Sequence, residues 1–174
     1  RQMCIRDSIK TPDGVRFAPF SQAQIDEVLA LSKEIVARHK IRPERVVGHS
    51  DIQPQSKQDP GPLFPWKQFA QAGLIAWPDA ALVAERQSVY DVALPGMDWF
   101  QEKLADHGFG VPRGGELDPM TRNVLSAFQM KYRPRKYDGE PDAETAALLD
   151  VVNRSDGMKM TQPAPPGKPY TSRW

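Results

Sequence analysis

Residues Val46–Trp66 read VVGHSDIQPQSKQDPGPLFPW, and the fold of the first part of the chain turns on this stretch. It opens as a short predicted strand, Arg45–Gly48, that ends on His49. Ser50–Pro65 follows with four prolines, one glycine and neither a helical nor an alternating pattern. A patternless run of this length inside a compact domain is usually functional or disordered. Leu63, Phe64, Pro65 and Trp66 argue for order, because they offer a large apolar surface to bury. Within eleven residues the loop carries His49, Asp51, Lys57 and Asp59. Imidazole and carboxylate are ordinary zinc ligands, and three protein ligands plus one water form the usual catalytic zinc site. A lysine beside such a site can stabilise a developing oxyanion. The same side chains suit plainer roles. Asp51 reads well as a side chain bonding its own loop backbone. Lys57 reads as a solvated surface charge, and Trp66 as core.

Upstream of the loop, Gln22–His39 is a predicted helix. Ser21 is a good N-cap and Gln24 completes a capping box. Ile25, Val28, Leu29, Ser32, Ile35 and Val36 follow the spacing of one buried helix face, with Ser32 the polar exception. A helix and then a strand with a polar residue at its C-terminal end is how α/β sheets place ligands. Downstream, a short helix over about Trp66–Ala72 stops at Gly73. Leu74–Arg86 reads as the end of one domain and a linker.

The remainder changes character. Met97–His107 is a predicted helix closed by Gly108. A second starts at Asp118 as N-cap with Pro119 in its first turn, and a third runs from Asp142 to about Asn153. GELDPMT at Gly115–Thr121 and GEPDAET at Gly139–Thr145 share the pattern G-E-x-D-x-x-T, so two similar turn-and-helix units are expected to pack together. Trp99, Phe100, Leu104, Val124, Leu125, Phe128, Leu148, Leu149 and Val152 are the expected three-helix core. A helical bundle of this size lies near the lower limit for independent stability. The Pro-rich end, Ser155–Trp174, reads as a disordered tail.

Bulk properties exclude some classes. The formal net charge is +1, from 23 basic and 22 acidic residues, which gives no support to nucleic-acid binding. No apolar run approaches the roughly 18 residues that span a bilayer. The single cysteine, Cys4, rules out an intrachain disulfide. The chain opens RQMCIRDS, without an initiating Met or a visible signal peptide, and Arg1–Ser8 reads as a truncation or joining scar.

The segment GHSDIQPQSKQDPGPLFPW resembles the second metal-ligand motif of the zinc N-acetylmuramoyl-L-alanine amidases, the amidase type 2 family. It is most similar to the two-domain members of the Gram-negative cell envelope. The resemblance runs from about Phe17 through Pro78 and includes the phrase I-x-P-E-x-V-V-G-H. It implies His49 and Asp59 as zinc ligands and Lys57 as the catalytic lysine. Residues Met97 to about Asn153 resemble the three-helix peptidoglycan-binding domain, through G-x-L-D-x-x-T-R-x-x-x-x-A-F-Q at Gly115–Gln129 and D-G-x-x-D-x-x-T at Asp138–Thr145.

Two departures matter. The family's third zinc ligand, a His on an early strand, and its acidic catalytic Glu both lie upstream of the first helix, and neither has a counterpart here. His39 and His107 are better explained as favourable charges at helix C-termini. The resemblance therefore implies an incomplete α/β amidase domain, with a central mixed sheet and flanking helices, over residues 1–86. An all-α three-helix wall-binding domain follows over 87–154, and a tail over 155–174. The implied cofactor is Zn2+, the implied partner peptidoglycan or muropeptides, the implied state a monomer, and the implied location the periplasm or outer membrane. A chain lacking the upstream groups is expected to be inactive alone. The rival readings are a non-catalytic peptidoglycan-binding protein with an amidase-like fold, and a cytosolic amidase that recycles wall fragments. Residues 1–86 are expected to be poorly stable by themselves, and residues 96–153 to fold on their own.

Overall fold

The computed structural model describes residues 8–11 and 14–161, with side chains from Arg16 onward. Arg1–Asp7 and the Pro-rich residues 162–174 lie outside the described residues. The chain begins with a hairpin, β1 (Ser8–Thr11) and β2 (Gly14–Phe17), paired antiparallel with Ser8 opposite Phe17 and Thr11 opposite Gly14. Helix α1 (Gln22–His39) follows, and its capping box forms as expected. The Gln24 N–H donates to Ser21 Oγ at 3.3 Å, and the Ser21 N–H donates to Gln24 Oε1 at 2.9 Å. Lys40 ends the helix at φ 52°, and its N–H returns to the Val36 carbonyl.

The predicted strand Arg45–Gly48 is corrected here. Pro43–Arg45 is a single 3-10 turn, and Val46 and Gly48 are extended without pairing. An extended segment becomes a strand only when a neighbour completes its hydrogen-bond ladder, and among the described residues none lies beside it. His49 starts a one-turn helix, α2 (His49–Ile52), instead of sitting past a strand end. The rest of the loop leads to α3 (Trp66–Gln71), which stops before Gly73 at φ 73°. Val36, Trp66, Phe69, Ala70, Leu74 and Ile75 form the core of this first unit, with Val28, Leu29, Val46 and Phe64 packed around it.

The stretch expected to be a linker is a second correction. Trp77–Pro78 forms β3 and Ala80–Val92 forms a full helix, α4, capped by Asp79, whose Oδ1 accepts from the Ala81 and Leu82 N–H groups. Helices α5 (Met97–Asp106), α6 (Pro119–Tyr132) and α7 (Ala143–Val152) occupy the predicted positions. Helix α4 packs along α7, and the Arg86 guanidinium and Tyr90 hydroxyl both donate to Asp150. The helical unit therefore has four helices rather than three. Strand β4 (Met158–Lys159) pairs antiparallel with β3, so the start of the expected tail is ordered. Phe100, Leu104, Val124, Leu125, Phe128 and Leu149 are fully buried, and Trp99 packs at the edge of this core. The α/β unit followed by an all-α unit holds as the fold class.

The internal repeat has a structural cause. The Gly115 N–H donates to Gln101 Oε1 at 2.8 Å, while Gln101 Nε2 donates to the Glu116 carbonyl and to Thr121 Oγ1, both at 3.0 Å. In the second copy the Gly139 N–H donates to Gln129 Oε1 at 2.9 Å, and Gln129 Nε2 reaches the Glu140 carbonyl at 2.8 Å and Thr145 Oγ1 at 3.1 Å. Both amides are buried and fully partnered, which is what makes a polar group tolerable in a core. Each G-E-x-D-x-x-T loop is thus pinned by a glutamine from the preceding helix. Gly115 and Gly139 sit at φ 73° and 74°, a region that favours glycine.

Candidate functional site

The loop after Gly48 folds back on itself. The Ser50 N–H donates to the Asp59 carbonyl at 2.9 Å, and the Gln53 carbonyl accepts from the Ser56 and Lys57 N–H groups. This closure brings His49 and Asp59 together, with 2.9 Å between Nδ1 and Oδ2. Both side chains are 33% exposed. Gly48 lets the two arms of the loop approach. A Cβ there would stand 2.7 Å from Pro60 Cδ and 3.2 Å from Trp66 Cζ2. Trp66 is buried, with Phe64 and Phe69 meeting it edge to face, so its core role holds.

Asp51 does bond its own loop: its Oδ2 accepts from the Gly48 N–H at 2.8 Å. The same oxygen accepts from the Lys131 ammonium on α6 at 2.7 Å, with side chains 10% and 11% exposed. That contact, between residues eighty apart, has no signature in a single sequence, where Lys131 reads as one more charge on a helix. Lys57 is half-buried. Its ammonium forms no hydrogen bond or ion pair among the described residues.

The His49–Asp59 pair, one ring nitrogen and one carboxylate oxygen converging at a partly open position, fits two places of a zinc site. Among the described residues no group of three His, Cys, Asp or Glu side chains stands close enough to hold a metal. His39 is exposed at the end of α1. His107 is built into the other unit, ringed by Phe109, Phe128 and Tyr132, with Nε2 3.3 Å from the Tyr132 hydroxyl. Burial, aided by the nearby Lys131 charge, pushes the His107 imidazole down to about 4. It is neutral near pH 7, so the expectation that it acts as a charge at a helix end is wrong. Burial likewise holds the Tyr132 phenol far above its usual range.

A cleft of about 660 Å3 lies between the two units, lined by Val46, Val47, Ile52, His107, Lys131 and Tyr132 among others. His49, Lys57 and Asp59 are not part of its wall. No helix among the described residues is long and apolar enough to cross a membrane.

Comparison with known proteins covers both units. Residues 7–62 match the family model described as N-acetylmuramoyl-L-alanine amidase, and residues 94–149 the one described as a putative peptidoglycan binding domain. The N-acetylmuramoyl-L-alanine amidase AmiD of Escherichia coli is 47% identical over 147 residues, which cover 82% of this chain and 51% of that protein. The 1,6-anhydro-N-acetylmuramyl-L-alanine amidase AmpD of Enterobacter cloacae is 35% identical over 57 residues, 33% of this chain and 30% of that one. Among solved structures, the complex of E. coli AmiD with anhydro-N-acetylmuramic acid-L-Ala-D-gamma-Glu-L-Lys superposes with a TM-score of 0.71 at 42% identity, covering 83% of this chain and 56% of the other. AmpDh3 from Pseudomonas aeruginosa gives 0.77 at 36% identity, covering 84% and 57%. The chain spans about half the length of the AmiD it matches. With the His49–Asp59 loop inside the first match and the pinned helical repeat inside the second, residues 7–62 belong to the N-acetylmuramoyl-L-alanine amidase family and residues 94–149 to the putative peptidoglycan binding domain family.

Proposed function

We propose that the intact protein hydrolyses the amide between N-acetylmuramic acid and the L-alanine of the peptidoglycan stem, in the cell envelope and as a monomer. The observation that carries this reading is the meeting of His49 and Asp59 at 2.9 Å, inside the segment that matches the amidase family. His49 and Asp59 would hold Zn2+, with the third ligand and the acidic group supplied upstream as the family resemblance implies. When bound, the metal supplies an acidified water and a polarised carbonyl.

The chain's own residues do the rest. The Ser50–Asp59 backbone bond fixes the spacing between His49 and Asp59. The Lys57 ammonium, committed to no partner among the described residues, stabilises negative charge on the carbonyl oxygen as the tetrahedral intermediate forms. Residues from about Asp79 to Met160 form the wall-binding unit, taking in α4 and extending past the boundaries 87 and 154 expected from sequence. By holding the enzyme on its polymer this unit raises the local substrate concentration. Polymeric sacculi would then be cut faster than soluble muropeptides.

His49→Ala and Asp59→Ala in the intact protein are the test. Each is expected to abolish zinc retention, read by elemental analysis, together with muropeptide cleavage. Full cleavage by either variant would overturn the assignment.

A further inference from the structure

The two units meet where β3 pairs with β4, where Phe17 packs on Tyr137 and Trp77 on Tyr132, and on the loop that carries the chemistry. Lys131, near the C-terminal end of α6, donates to Asp51 Oδ2 at 2.7 Å, and that oxygen also accepts from the Gly48 N–H at 2.8 Å. A continuous chain of bonds therefore runs from the helical unit to the Val47–Gly48 peptide, one residue before His49. The same ammonium lies over the Trp66 ring, 4.8 Å from its centroid. Lys131 thus touches the loop where it begins, at Asp51, and where it ends, at Trp66. Gly48, Pro60 and Trp66 are already in close approach beneath it. The loop's middle is held from the same helix: Gln55 Nε2 donates to the Met120 carbonyl, and Asn123 Nδ2 donates to Gln55 Oε1, both at 3.0 Å.

This is more than a surface ion pair. At 10% and 11% exposure both charges have lost most of their water, and a pair so desolvated is kept only with good geometry and further bonds. Asp51 has its second bond from Gly48, and Lys131 has the rings of Trp66 and Tyr132. Groups that hold a metal ligand from behind commonly change metal affinity by 10- to 100-fold when removed.

We propose that the wall-binding unit is part of the catalytic machinery, with Lys131 a positioning residue that clamps the His49–Asp59 loop through Asp51 and Trp66. The functional half of this inference rests on the zinc assignment above. The mechanical half does not. The clamp makes the two units one device, so the helical unit sets the rigidity of the metal-ligand loop as well as tethering the enzyme.

The experiment uses the intact protein and three variants. Lys131→Met removes the charge and keeps much of the stem. Lys131→Arg keeps the charge. Arg122→Met breaks an α6 ion pair with Glu140 that does not touch the loop. Hydrogen exchange of the Ser50, Gln53 and Lys57 amides is read without metal, and zinc affinity by chelator competition. Lys131→Met is expected to speed loop exchange and to weaken zinc binding by at least about tenfold, with Lys131→Arg recovering most of both and Arg122→Met changing neither. Should Lys131→Met fail to fold, Gln55→Ala leaves the ion pair intact and is expected to speed exchange at Gln53 and Lys57 alone. Unchanged loop exchange and zinc affinity in Lys131→Met, whether or not its Tm falls, overturns the clamp. Absence of zinc binding in the unaltered protein overturns the zinc assignment instead, and loop exchange still reads the clamp.

Discussion

The two units differ in how deeply they bury their side chains. In the helical unit Phe100, Leu104, Val124, Leu125, Phe128 and Leu149 reach 0% exposure, and the polar Gln129, Thr121 and Thr145 are buried as completely. In the amidase unit the core is a small knot of six residues, each 3–8% exposed and none fully buried. Buried apolar area is the main favourable term in folding, about 25 cal/mol per Å2. The residues with candidate chemistry therefore sit in the unit with less of its own stabilisation. They are held by backbone closure, a buried tryptophan and a lysine from the better-packed unit.

The largest effect expected from this difference is at the level of whole units. Residues 79–161 alone should unfold in one cooperative thermal transition, and residues 1–78 alone should show none. Calorimetry on both pieces checks this, and a sharp transition in 1–78 would break the comparison. Next in size is a pair of glycine substitutions. In Gly139→Ala the new Cβ would lie 2.4 Å from the Arg122 carbonyl oxygen, at a residue already at φ 74°. The expected cost is about 3–4 kcal/mol, beyond the ordinary range for one substitution. Gly48→Ala meets a proline ring carbon and a tryptophan edge instead, at a φ any residue adopts. It should cost about 1–2 kcal/mol and act more on zinc retention than on Tm. Equal costs in denaturant titrations would show that both units are packed with the same tolerance.

An effect of about the size of Gly48→Ala is expected in pH. His107 titrates near 4 when folded and near 6.5 when unfolded. As pH falls below 6.5 the unfolded chain takes up this proton first. Stability is therefore full above 6.5, falls between 6.5 and 4, and changes no further from this group below 4. After allowance for its partial exposure the loss is about 2 kcal/mol. Denaturant midpoints measured across that window should show the slope, and His107→Gln should flatten it.

Much of the helical unit is legible in sequence, because its signals are local. Asp118 before Pro119, Asp142 before Ala143 and the repeated glycine turns are each contained within a few residues. The Ser21–Gln24 capping box is equally local, and it set the start of α1 correctly. Failures came where structure depends on distant partners. Arg45–Gly48 has the composition of a strand, but pairing belongs to two segments and not one. Leu74–Arg86 reads as a domain end and linker, whereas Ala80–Val92 is helical, with packing against α7 as the distant partner. Gln101 and Gln129 went unread as pins. They lie outside the G-E-x-D-x-x-T pattern, 14 and 10 residues before the glycines they hold. In the candidate site, the loop's residue types were legible, and so was the bond from Asp51 to its own backbone. The hold of Lys131 on that loop was not.

The order in which the glutamine pins occur along the chain bears on how the protein is made. Gln101 precedes Gly115, and Gln129 precedes Gly139, so each helix that offers an amide leaves the ribosome before the loop it captures. Neither turn waits on a partner yet to be synthesised, and the sequence separations are short enough for rapid closure. The helical unit is thus suited to assemble vectorially, one loop after another, with each newly made turn docking onto a helix already in place.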